Sequence, residues 1–188
     1  MKNKLAAAVA ALAFAVPAFA ADSYRFDPHH TRPLFEVSHM GFSTQHGRFD
    51  RASGQVVLDA AAHTGSIDFS VDASSIDMGT DEWNKHMKSD EFFNVARFPV
   101  MTFKSDKLVF DGDRVVAAEG QFTLLGVTRP LRIAVANFRC GQNPMTKQPT
   151  CGADVSARIK RSDFGMTKFL PLVGDDVKIF VPVEATKG

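Results

Sequence analysis

Six histidines are the residues of this 188-residue chain best suited to chemistry, and His29, His30 and His39 lie close enough in sequence to raise a metal centre, since neutral imidazole is a common transition-metal ligand. The spacing argues against one. Adjacent residues of an extended strand face opposite ways, and neither an H-x-x-x-H pair nor a nearby cysteine completes a ligand set. For acyl transfer the nearest candidate is Gly41-Phe42-Ser43-Thr44-Gln45, which lacks the closing glycine of a nucleophile elbow and its strand-to-helix setting. No H-E-x-x-H, phosphate loop or dinucleotide fingerprint occurs. No residue is assigned a catalytic or metal role, no cofactor is expected, and the chain reads as a non-enzyme.

The aromatic residues are more distinctive. Seventeen phenylalanines stand against one tyrosine, Tyr24, and one tryptophan, Trp83, and phenylalanine alone among these brings ring area with no hydrogen-bonding tip. Phe35, Val37, Phe42 and Phe49, then Phe92, Phe93, Phe98, Met101, Phe103, Phe122, Leu124, Phe164 and Phe169, imply a very dry interior. Residue types alone leave two readings open, a packed phenylalanine core and an apolar ligand cavity.

Residues 1–20 read as a cleaved secretory signal: Lys2 and Lys4, an apolar run from Leu5 to Val16, and Ala18-Phe19-Ala20 before the cut. The mature domain then spans residues 21–188, and the periplasm is the expected location. The apolar run is shorter than the about 20 residues that a membrane-spanning helix needs, so no stable membrane insertion is expected. Losing Lys2 and Lys4 leaves 20 basic against 21 acidic residues, and apart from Arg158-Ile159-Lys160-Arg161 the cations are scattered singly. That balance argues against a nucleic-acid partner. Cys140 and Cys151, the only cysteines, bracket a polar loop with two prolines; in an oxidising compartment they are expected to form a disulfide stapling a hairpin tip.

Positioning all of this falls to strands. Ile67, Phe69, Val71 and Ala73 alternate with Asp68, Ser70, Asp72 and Ser74, a half-buried strand pattern. The same period recurs in Leu131, Ile133 and Val135, in Cys151 through Ile159, and in Val177 through Val183. Asp111-Gly112-Asp113 marks a hairpin, as does Leu125-Gly126 more weakly. Only Thr80 to Val95 reads as helical, with Thr80 or Asp81 capping one turn and Ser89 a second. A single all-β domain follows, a sandwich or an antiparallel barrel of about eight strands that is able to hold one small ligand.

Read in order, Tyr24-x-Phe26-Asp27-Pro28-x-His30-Thr31, Phe35-x-Val37-x-His39-Met40-Gly41, Gly47-x-Phe49, Ser89-x-Glu91-Phe92-Phe93, Phe98-Pro99-x-Met101-Thr102-Phe103, Gly120-x-Phe122-Thr123-Leu124-x-Gly126-Val127-Thr128 and Arg161-Ser162-Asp163-Phe164-Gly165-Met166 resemble the YceI family over essentially the whole mature chain. Thr31 replaces the family's usual serine and keeps the hydroxyl. The resemblance implies an up-and-down, lipocalin-like, eight-stranded barrel with a short helical insertion. Its apolar pore would hold a polyisoprenoid lipid or isoprenoid quinone for transport, storage or sequestration. The pore residues expected on that basis are Phe35, Val37, Phe49, Ile67, Phe69, Val71, Phe92, Phe93, Met101, Phe103, Phe122, Leu124, Ile133, Val135 and Phe164, with Trp83 lidding one end. His30, His39 and Arg161 are the candidates for the ligand's polar head. An enzyme or accessory protein of isoprenoid-quinone metabolism and a ligand-free structural barrel are the competing readings; a homodimer stays open.

Overall fold

Strands present unpaired backbone groups along both edges, and a sheet that closes on itself abolishes those edges. The computed structural model describes residues 21–188, so the expected export signal lies outside the described residues. The elements in chain order are β1 Asp22–Phe26, β2 Leu34–His39, β3 Ser43–Phe49, β4 Ala52–Asp59, β5 Thr64–Asp72, β6 Ile76–Asp77, α1 Asp81–Lys88, β7 Val100–Asp111, β8 Arg114–Leu124, β9 Val127–Gln142, β10 Pro149–Lys160 and β11 Val173–Lys187. All pairings are antiparallel. β1 pairs with both β4 and β11, which closes the sheet into a barrel.

These eleven strands make eight staves, because three staves are each broken into two strands. β1 and β2 lie end to end along β11, with Phe26 opposite Ala185 and Leu34 opposite Phe180, so residues 27–33 interrupt a single stave. β4 and β3 lie along that stave in turn, broken at Asp50-Arg51, and β5 and β6 form the third around a 3-10 turn at Ala73–Ser75. Counted this way, neighbouring staves are consecutive in the chain, which is the expected up-and-down, lipocalin-like order.

A broken ladder leaves backbone groups without partners, and in a dry interior each such group is costly. Buried hydroxyls fill the breaks. Thr31, fully buried, donates from Oγ1 to the Glu184 carbonyl at 3.0 Å and accepts from the Glu184 N–H at 3.1 Å. Ser75 accepts from the Arg51 N–H at 3.0 Å and donates to the Asp72 carbonyl at 2.7 Å. Ser105, at the β7–β8 register shift, donates to the Glu119 carbonyl at 2.7 Å and accepts from the Lys107 N–H at 3.1 Å.

The helical segment is shorter than its sequence suggests. Thr80 caps α1, its Oγ1 accepting from the Trp83 N–H at 3.3 Å. Ser89 starts no second helix: its N–H and Oγ both donate to the His86 carbonyl, at 3.1 and 2.7 Å, and so close the first. The turns that follow drive Phe92 and Phe93 into the core. The Leu125-Gly126 hairpin closes in two residues, both at positive φ. Cys140 and Cys151 are register partners near the β9–β10 tip and form a disulfide. At the other end of that strand pair the ladder stops at Ala134 opposite Ser156. Beyond it lies Pro130, which has no N–H to give and belongs to edge strands.

Thr31→Val should cost about 2 kcal/mol in denaturant unfolding, since the Glu184 N–H loses its partner while the Glu184 carbonyl keeps the Asp27 N–H at 2.8 Å. Thr31→Ser keeps the hydroxyl and removes one buried methyl, for about 1 kcal/mol.

Candidate ligand cavity

Inward residues of β1 to β11 do not meet across the middle. They surround a cavity of about 380 Å³ along the barrel, within the roughly 300–1,000 Å³ typical of ligand sites. One end is sealed by Tyr24, Leu58, Val115, Cys151 and Ala185, all buried. Polar lining side chains collect at the other end: His39, Gln45, His86 and Arg161 stand with the half-exposed Trp83 and Phe169 where α1 and loop 165–172 cover the barrel. Between the ends the wall is apolar.

Of the residues expected to line the pore, Phe35, Val37, Phe49, Ile67, Phe69, Val71, Phe92, Phe93, Met101, Phe103, Phe122, Leu124, Ile133, Val135 and Trp83 border the cavity. Phe164 does not: the 3-10 turn Arg161–Phe164 carries it past the end of β10, where it packs edge-on against Phe122 at 5.4 Å. The rings brace one another along the wall, Phe49 edge-to-face on Phe93 at 5.3 Å and Phe26 on Phe69 at 5.2 Å. The Phe35 ring packs over its register partner Gly47, where a Cβ would stand 2.4 Å from the ring tip and 2.5 Å from Met78 Sδ. A side chain at position 47 would therefore displace Phe35.

Sequence reasoning missed the aliphatic lining that β10 and β11 contribute. Ala153, Val155, Ala157 and Ile159 of β10 and Val177, Ile179, Val181 and Val183 of β11 all border the cavity. Their signal is the same period-two alternation that reveals the strands, which marks a buried face without saying whether that face meets a cavity or a packed core. Tyr24, whose hydroxyl lies 3.4 Å from Asp22, also lines the sealed end despite its polar tip.

The three residues considered for a polar head have separate settings. His30 lies outside the cavity lining, in the 27–33 interruption, with Nδ1 2.7 Å from an Asp27 carboxylate oxygen and 3.9 Å from one of Glu184. The Asp27 bond, with the charges of Asp27 and Glu184, raises the imidazole pKa. Asp27 is meanwhile occupied in closing the turn, accepting from the His29 N–H at 2.7 Å. Arg161 is buried and reaches the cavity, yet Nε, Nη1 and Nη2 donate to the carbonyls of Gly174, Met166 and Val173 at 2.8, 2.9 and 2.8 Å. Burial lowers its pKa, against the opposing charge of Asp175. His39 lines the open end from the last position of β2. At that end Glu91 joins α1 to loop 165–172, taking Lys168 at 2.5 Å and His86 at 3.0 Å. The Lys168 bond, then that of His86, hold the Glu91 carboxyl below its usual value.

A closed antiparallel barrel around an apolar cavity, polar at one end, defines a lipocalin-like binding barrel. The YceI-like domain model matches residues 24–185, and the chain belongs to that family. It is 29% identical to Protein YceI of Salmonella arizonae over 99% of this chain and 98% of that protein. Among solved structures it resembles BcnA of Burkholderia cenocepacia, with 25% identity and a TM-score of 0.71, covering 86% of this chain and 99% of that one. It also resembles a polyisoprenoid binding domain from Saccharophagus degradans, implicated in plant cell wall breakdown, at 17% identity and TM-score 0.63 over 88% of this chain and 98% of that one.

An open, dry cavity should take up a general apolar dye. Anilinonaphthalene sulfonate is expected to brighten with the wild type and stay dark with an Ala153→Phe/Ala157→Phe variant of unchanged far-ultraviolet circular dichroism.

Proposed function

We propose that this protein is a carrier or store, not an enzyme, that holds a long-chain polyisoprenoid or isoprenoid quinone with its chain in the barrel and its head toward the α1 end. The observation that carries this reading is the lining, whose polar side chains, apart from Tyr24 with its hydroxyl turned to Asp22, gather at one end. An isoprene chain offers surface without hydrogen-bond capacity, so a wall of phenylalanine and aliphatic side chains leaves nothing unsatisfied when it binds. The polyisoprenoid binding domain from Saccharophagus degradans shares the fold and supports the ligand class. Residues 1–20 support export to the periplasm, as does the disulfide, which oxidising compartments maintain. Sequencing the amino terminus of the exported protein should begin near Ala21.

Each added five-carbon unit contributes about 1.5 kcal/mol at the efficiency of drug-sized ligands, or about tenfold in affinity. Affinity for a series of prenyl alcohols, read from the fluorescence of Trp83 at the cavity's open end, should climb with chain length and level off once the cavity is full. Equal affinity for short and long chains would remove the reading, as would turnover of an added quinone for its non-enzymatic part.

A further inference from the structure

Apolar side chains stand bare at the α1 end of the barrel. The β2–β3 hairpin tip, Met40-Gly41-Phe42, and the segment Phe169-Leu170-Pro171-Leu172 before β11 meet there, where the Met40 N–H donates to the Leu172 carbonyl at 2.7 Å. Phe42 is 92% exposed, Leu172 59%, Met40 50% and Phe169 44%, and Trp83 of α1 adds 40%. These are five of the nine large hydrophobic side chains exposed among the described residues. Their backbone is held in place, since the Phe42 N–H donates to the His39 carbonyl at 3.0 Å and the Val173 N–H to the Phe169 carbonyl at 2.8 Å. Exposed apolar runs of this kind are faults in a water-facing surface unless they bind something.

Size and charge select the occupant. At about 200 Å² for a large side chain, the five exposures come to about 600 Å², spread over three segments, whereas each partner of a stable protein complex buries about 800 Å². Charge is missing as well. Residues 37–45 and 169–174 hold no Lys, Arg, Asp or Glu in a chain that is 23% charged. On the covering segment 81–97 and loop 165–172, Lys85, Lys88, Arg97 and Lys168 balance Asp81, Glu82, Asp90 and Glu91. A surface with bare rings and no net charge suits the boundary of a zwitterionic phospholipid bilayer, where apolar side chains sink about 5–10 Å and tryptophan settles at headgroup level. Phe169 and Trp83 also border the cavity, so apolar surface runs from the exposed tip into the barrel.

We propose that Met40, Phe42, Phe169 and Leu172 form a docking surface that dips reversibly into a zwitterionic phospholipid bilayer and sets the open end of the cavity against it. The proposal rests on the lipid-carrier reading above and adds the place of exchange: an isoprenoid leaves the bilayer past Phe169 and Trp83 without crossing water. Docking of this kind depends on apolar area and not on charge, so salt does not weaken it. It needs no membrane-spanning segment, and no helix among the described residues is long and apolar enough to be one.

The test is flotation of the exported protein with phosphatidylcholine vesicles, run beside its affinity for geranylgeraniol in solution. Wild type should float at low and at high salt. Phe42→Ser and Leu172→Ser should each weaken vesicle binding about tenfold, while Met145→Ser, 89% exposed at the opposite end, leaves it unchanged. None of these three side chains lines the cavity, so all three variants should keep the wild-type affinity for geranylgeraniol, which also shows that they fold. Wild type that stays off the vesicles yet binds geranylgeraniol overturns the docking surface and leaves the carrier reading standing. So does flotation that both tip variants retain in full, or that requires phosphatidylglycerol and falls with salt. A wild-type dimer that Phe42→Ser splits, without flotation, would assign the tip to a second copy of this chain and overturn the proposal. Flotation lost in the tip variants, with geranylgeraniol bound by none of the proteins, upholds the docking surface and removes the carrier reading.

Discussion

The structure depends on keeping backbone polar groups satisfied inside a barrel whose side chains offer them almost nothing. Phenylalanine and aliphatic residues bring no donors or acceptors, so every break in the strand ladder must be repaired locally. Among the described residues the buried serine, threonine and charged side chains are Thr31, Ser75, Ser105 and Arg161, and each serves as such a repair: three hydroxyls replace missing ladder bonds, and one guanidinium gathers three carbonyls where β10 turns toward β11. No buried side-chain nitrogen or oxygen among the described residues lacks a partner. The breaks themselves let long staves bend around the cavity, as bulges do in curved sheets.

The same constraint shapes the cavity. Repairs sit in the wall and spend their hydrogen bonds there, so the surface turned inward stays apolar over most of its length. Apart from Tyr24, polar side chains enter the lining only where α1 and loop 165–172 meet the barrel end, held by Glu91 between His86 and Lys168. That asymmetry, dry at the Tyr24 end and mixed at the Trp83 end, gives an amphiphile one sensible orientation.

Much of the barrel was legible because alternation is a local property: Ile67 to Val71, Cys151 to Ile159 and Val177 to Val183 announce strands from their own residues. The broken staves were not, since nothing near Phe26 or Leu34 says that both lie along β11. Ring and aliphatic residues on β2 to β9 marked part of the cavity wall, yet Phe164 shares their chemistry and sits outside it, because a short turn carries it past the end of β10. Arg161 and His30 looked like free polar groups; the carbonyls and carboxylates that engage them come from residues 166–184 and from Asp27, and only folding brings the distant ones near. Ser75 and Ser105 carry no local signal that separates them from any surface serine.

The bridge between Cys140 and Cys151 joins residues already opposite one another at the far end of the β9–β10 pair. A shift of two residues between neighbouring strands would keep every side chain on its own face, and so costs least of all misalignments. The covalent tie forbids that slide, and with it the sequence fastens this seam at one extremity while its Pro130 extremity stays unstitched.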